Sequence, residues 1–104
     1  MTERQVVRLV RERLSSRFDV QRIVSFGSRG RGDAKPESDF DFLVIAYSDV
    51  PFVERQGLGM LALGPHEFPV DLLIYTPDEA DAEAQVPGSA LYWAGREGRE
   101  VYAR

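Results

Sequence analysis

Ten residues separate the pair Gly27 and Ser28 from Asp39; Asp41 follows, and a third acid, Asp71, lies inside a later apolar run. Side chains in a strand alternate between faces, so Asp39 and Asp41 point one way while Phe40 and Phe42 point the other. Two carboxylates on one face can share a hard cation. If the strand carrying Asp71 lies alongside, three acids converge into an oxygen set of the kind Mg²⁺ takes; without a cation they would repel one another. Two ions held about 4 Å apart can stabilise the attacking and the leaving oxygen of a phosphoryl displacement. Asp39, Asp41 and Asp71 are therefore the candidate metal ligands and catalytic carboxylates, with two Mg²⁺ ions expected. Asp71 alternates with Val70 and Leu72, a position where burial is costly unless a metal or hydrogen bonds compensate it.

The Gly-Ser turn supplies the other half of such a site. Gly27 permits close backbone approach, and the Ser28 hydroxyl with nearby amides suits a triphosphate, especially if a helical turn begins there. Ser38, at the far end of the loop, joins Gly27, Ser28 and Arg31 as a nucleotide-binding candidate. Arg29, Arg31 and Lys35 could neutralise a leaving pyrophosphate. Arg31 is the preferred one, being close to the loop yet beyond the glycine turn. Chemistry of this type rests on positioning and electrostatics more than on covalent help from the protein.

The elements that must position these residues are legible from pattern. Thr2 and Gln5 form a capping box ahead of Val6, Val7, Leu9, Val10 and Leu14, which recur at helical spacing to about Ser16. Val20 to Phe26 is a short β-branched run ending at Gly27, the mark of a strand. Ser28 to Ser38 is a loop rich in turn residues, and Phe40 to Tyr47 reads as a strand covered on both faces. Pro51 to Leu63 forms a second helix in spite of Gly57 and Gly59, each of which weakens a helix by about 1 kcal/mol. Phe68 to Tyr75 is a third strand. Thr76 caps a helix reaching Ala84, with Pro77 in its first turn and acids where the dipole favours them. Gly88 to Arg96 suggests a last helix closed by Gly98, and Val101 and Tyr102 a terminal strand. The alternation gives an α/β (α+β) class with a sheet of about four strands flanked by helices.

Composition narrows the functions. The 104 residues, 43% of them hydrophobic, can bury one modest core, so a single domain over residues 1–104 is expected. Thirteen basic against seventeen acidic residues, a net charge of −4, argue against general nucleic-acid binding. Cysteine is absent, which removes disulfides, thiolate zinc sites and a catalytic thiol and fits a reducing cytoplasm. No stretch resembles a signal peptide or a membrane span. His66 is expected on the surface without a role. Tyr92, Trp93 and Phe68 could stack on a base, although aromatics in a small domain more often belong to the core. Asp78, Glu79, Asp81 and Glu83 read as the acidic start of a helix.

The string GSRGRGDAKPESDFDFLV resembles the minimal nucleotidyltransferase (MNT) family of the DNA polymerase β superfamily, whose signature is Gly-Ser, ten residues, Asp-x-Asp. FPVDLLIYTPDE looks like that family's third-acid strand with its following helix, and AGREGREVY like its C-terminal ending. The resemblance implies a polymerase-β-like nucleotidyltransferase fold with a mixed sheet. It also implies Mg²⁺-dependent transfer of AMP from ATP to a hydroxyl, with Asp39 and Asp41 as metal ligands and Asp71 near the attacking hydroxyl. It further implies an antitoxin role beside a helical HEPN-type toxin, some such antitoxins adenylylating a tyrosine on the toxin. Two alternatives stand beside it: an antitoxin that neutralises its toxin by binding alone, and a small-molecule nucleotidyltransferase. Gly30 departs from the family, which more often has alanine there, and is expected to loosen the turn without removing a functional group.

Overall fold

Each apolar run expected to be a strand becomes one. The computed structural model describes residues 1–104. Its elements are α1 (Glu3–Leu14), β1 (Asp19–Phe26), α2 (Gly27–Arg31), β2 (Phe40–Tyr47), α3 (Phe52–Leu63), β3 (Val70–Tyr75), α4 (Pro77–Ala84), α5 (Ala90–Glu97) and β4 (Arg99–Ala103). The four strands form one mixed sheet in the order β3-β2-β1-β4. β1 runs antiparallel to both β2 and β4, whereas β2 and β3 are parallel. No helix is long and apolar enough to cross a membrane.

Alternation along β2 divides the core. Phe40, Phe42, Val44 and Ala46 face α1 and α3 in a cluster of 14 buried residues that includes Val6, Val10, Leu14, Leu63 and Ile74. Leu43 and Ile45 face the other way, joining Val24, Ala80, Leu91 and Ala94 in a cluster of 6 under α4 and α5. Covering on both faces explains why β2 reads as a continuous apolar run. By the same alternation Asp41 lies on the face of Leu43 and Ile45, at the edge of the thinner layer.

The capping box of α1 forms as expected: the Thr2 amide donates to Gln5 Oε1 at 2.8 Å and the Gln5 amide to Thr2 Oγ1 at 3.2 Å. Thr76 and Glu79 repeat the device at α4. α3 holds in spite of its glycines because Gly59 packs directly on β3; a Cβ there would stand 2.3 Å from Ile74 Cδ1. Arg55 of α3 is 2% exposed. Its guanidinium donates to the carbonyls of Val50 and Ile74 and, at 2.5 and 3.2 Å, to the Glu79 carboxylate. β3 is an edge strand, and the Gln56 side chain bonds its outer side. Gln56 Nε2 donates to the Ile74 carbonyl and Gln56 Oε1 accepts from the Ile74 amide, both at 2.9 Å.

The loop expectation needs correction at its start, since Gly27 to Arg31 are helical and only the remainder is irregular. β3 begins at Val70, two residues later than expected, because Pro69 has no amide to give to a ladder.

Candidate functional site

Three chain segments meet at the start of the β2–β3 pair. Asp41, second residue of β2, sits in parallel register with Asp71 of β3 on one side and opposite Phe26, the last residue of β1, on the other. Asp39 lies just before β2 and is exposed. Burial, then the negative charges of Asp71 and Asp39 and a carboxyl–carboxyl hydrogen bond to Asp71, push the Asp41 carboxyl above the ordinary carboxylate range; Arg31 pulls the other way. Asp71 itself is exposed at the start of an edge strand, not buried as its alternation with Val70 and Leu72 suggested. The partly buried acid is Asp41.

These carboxylates suit a hard divalent cation in chemistry: all donors are oxygens, and a cation would relieve the strain on the Asp41 charge. As the side chains stand, no three of the acids close on a single point. The fit is therefore one of donor type and neighbourhood.

Gly27 follows from two constraints at once. Its φ is +65°, and a Cβ would fall 2.3 Å from Asp41 Oδ2, so only glycine lets the β1–α2 turn pass over the acid. Ser28 is the second residue of α2, whose N-cap residue Phe26 makes no side-chain cap bond, and Gly32 closes the helix at φ +83°. α2 and α5 meet at Gly30, where a Cβ would lie 2.6 Å from the Ser25 carbonyl and 3.3 Å from the Glu97 carbonyl. The departure at Gly30 thus serves close packing; it is more than a looser turn.

The loop arginines have different occupations. Arg29 Nη2 donates to the Ser38 carbonyl at 2.8 Å and to those of Pro36 and Lys35 at 3.3 and 3.5 Å, and its guanidinium lies 3.9 Å from the centre of the Phe40 ring. It ties the loop to the sheet. Arg31 is half-exposed, pairs with Asp33 at 3.3 Å and Glu97 at 3.6 Å, and acts electrostatically on Asp41. Ser38 accepts from the Lys35 amide at 2.9 Å and lines a different cavity, with Arg29, Phe40 and Phe68. The fold thus brings Gly27, Asp41 and Asp71 together, with Asp39 and Arg31 acting on Asp41, while Ser38 bonds within the loop and lines a separate cavity.

Sequence reasoning weighed Trp93 as a base-stacking candidate but favoured a core position for it, and passed over Glu97. With Arg31 and Gly27 they line a cleft of about 420 Å³ beside the turn. Helical spacing held the signal for Trp93: the buried stripe of α5 runs through Leu91 and Ala94, and Trp93 falls off it. Phe68, by contrast, is buried as expected.

Residues 7–68 match the sequence family described as nucleotidyltransferase domain. No curated protein matches the chain. Among solved structures, a crystal structure of a toxin-antitoxin with AMP-PNP is similar over 100% of this chain and 75% of the other, at TM-score 0.62 and 20% identity. A mutant of the toxin-antitoxin MntA-HpeT with two Asp-to-Glu changes gives 0.60 and 18% over the same shares. A further MntA-HpeT mutant, with one Tyr-to-Ala change, gives 0.59 and 20% over 100% of this chain and 74% of the other. At such identities the likeness is one of fold, and the mixed sheet with its five helices is the polymerase-β-like arrangement expected. The family match runs from within α1 to the approach of β3, takes in Gly27, Ser28, Asp39 and Asp41, and spans more than half of the sequence; the protein belongs to the nucleotidyltransferase domain family.

Proposed function

We propose that the protein transfers AMP from ATP to a hydroxyl of a protein partner, with Mg²⁺, as the antitoxin of a HEPN-type toxin. The observation that carries this reading is Asp41, held between Asp71 and the Gly27 turn with Arg31 acting on it. Asp39, Asp41 and Asp71 would hold the metal, which when bound supplies positive charge to the reacting phosphate and lowers the barrier to its displacement. Ser28 and the first amides of α2 bind the β- and γ-phosphates. Arg31, exchanging its ion pairs with Asp33 and Glu97 for phosphate, offsets the charge that develops on pyrophosphate. The partner's oxygen bonds to the α-phosphorus as the bond to pyrophosphate breaks, and Asp71, at the exposed side of the site, takes the hydroxyl proton. Family membership and the AMP-PNP present with a toxin-antitoxin of like fold support the reading.

The test is to incubate the chain with ATP, Mg²⁺ and a HEPN-type partner and to weigh the intact partner. A mass gain of whole AMP units, lost with Asp39→Ala and Asp41→Ala, is the expected result. A stable complex without mass change, equally protective with both acids replaced, would establish neutralisation by binding alone.

A further inference from the structure

The geometry points to Trp93 as the surface on which the base of the bound nucleotide stacks, an inference that rests on the nucleotide-transfer reading above. Trp93 is the only tryptophan in the chain and is 48% exposed, while Leu91 and Ala94 of the same helix are buried. An indole is among the largest apolar surfaces a chain can bury, so leaving half of it open forgoes stability that a ligand can recover. The open surface is not isolated. It walls the cleft of about 420 Å³ whose lining also includes Gly27 and Arg31, the residues placed at the phosphates. That volume falls within the range of small-molecule sites. Beside the indole the lining includes two small residues, Gly88 and Ala90. A Cβ built on Gly88 would meet nothing within 4 Å.

The separation between turn and indole is set by rigid packing. α2 rests on α5 at Gly30, where even a methyl group would crowd the Ser25 and Glu97 carbonyls. Arg31 reaches Glu97, on the last turn of the helix that carries Trp93. Tyr92 holds the indole from the side, with ring centres 5.4 Å apart and planes at 86°, and Tyr92 is itself covered by the Arg96 guanidinium at 4.5 Å. A pre-set distance between a phosphate turn and an oriented, half-open aromatic fits a ligand with a triphosphate at one end and a flat ring at the other. Stacking tolerates every base because each has a π face.

ATP, CTP and inorganic tripolyphosphate, each with Mg²⁺, are titrated into the wild-type chain and Trp93→Ala by calorimetry, and the emission of the lone tryptophan is followed in the wild type. ATP should change that emission and tripolyphosphate should not. Trp93→Ala should weaken ATP about tenfold to a hundredfold and CTP less, with tripolyphosphate affinity and melting temperature unchanged. Trp93→Phe should keep most of the ATP affinity. Equal ATP affinity in wild type and Trp93→Ala overturns the stacking role and leaves the nucleotide reading intact. Equal weakening of ATP and tripolyphosphate shows a structural role for Trp93 and also overturns it. Failure of the wild-type chain to bind either ligand overturns the nucleotide reading, and this inference with it.

Discussion

The two ends of the β2–β3 pair treat a carboxylate in opposite ways. At the start of the parallel strands Asp41 is partly buried among acids, and its carboxyl is pushed up. Just past the far end of β3, Glu79 meets the buried Arg55 guanidinium and the cap of α4, and its carboxyl is held below the usual range, chiefly by the Arg55 hydrogen bond. Arg55 completes its bonding inside the chain; Asp41 does not. Charge is satisfied at one end of the two strands and like charge is crowded at the other, and the crowded end is the one to which the proposed function assigns metal and nucleotide.

The largest expected effect breaks the crowded end. Asp41→Asn should slow pyrophosphate release from ATP on the order of a thousandfold, about 4 kcal/mol in barrier, while the metal-free protein melts no lower than the wild type. Unchanged turnover would remove Asp41 from the chemistry. At the satisfied end, Arg55→Ala should lose about 3 kcal/mol in urea unfolding, because the Glu79 carboxylate and two carbonyls lose their donor together. Transfer per folded molecule should be unaffected.

Between these ends, the two loop arginines separate along the same line. Arg31→Ala should lower kcat/KM for ATP about tenfold, roughly 1.4 kcal/mol, with little change in melting. Arg29→Ala should do the reverse, destabilising by about 1 kcal/mol through the lost carbonyl bonds and the Phe40 contact. A kinetic defect in Arg29→Ala alone would exchange their roles.

The smallest effect is the pH dependence of metal-free stability. Asp41 has a raised folded value, so stability falls as pH rises from the ordinary carboxylate range through that value. Glu79 has a lowered one; its contribution is full above the ordinary range and is lost as pH falls through the lowered value. Urea midpoints between about pH 3 and pH 7 should therefore lose their decline on the alkaline side in Asp41→Asn and their acid-side rise in Glu79→Gln. Superimposable profiles for both variants and the wild type would contradict both assignments.

Elements with strong local signals were legible in the sequence: the capping box at Thr2, the cap at Thr76, and the apolar run of β2 over Phe40–Tyr47. So was the convergence of Asp41 with Asp71, once β3 lies beside β2. What was not legible depends on tertiary approach. Gly30 looked like a loosened turn because nothing local reveals that α5 presses on it. Arg31 was preferred on its place in the loop alone, and the structural role of Arg29 was hidden, because the Phe40 ring and the Ser38 carbonyl that occupy Arg29 are reached only after the loop folds back. Arg55 drew no attention, since a basic residue in an amphipathic pattern is ordinarily solvated. Its burial requires the Ile74 carbonyl and Glu79 to arrive from β3 and α4.

Gln56 gives the sheet a boundary. An outer strand offers a row of free donors and acceptors onto which another extended chain can add, the first step toward fibres. With one primary amide, α3 answers both backbone groups of Ile74 in the way a neighbouring strand would. An incoming chain therefore meets a side chain already seated where its own peptide group would have to go. At Ile74 the β3 flank is closed from within the molecule.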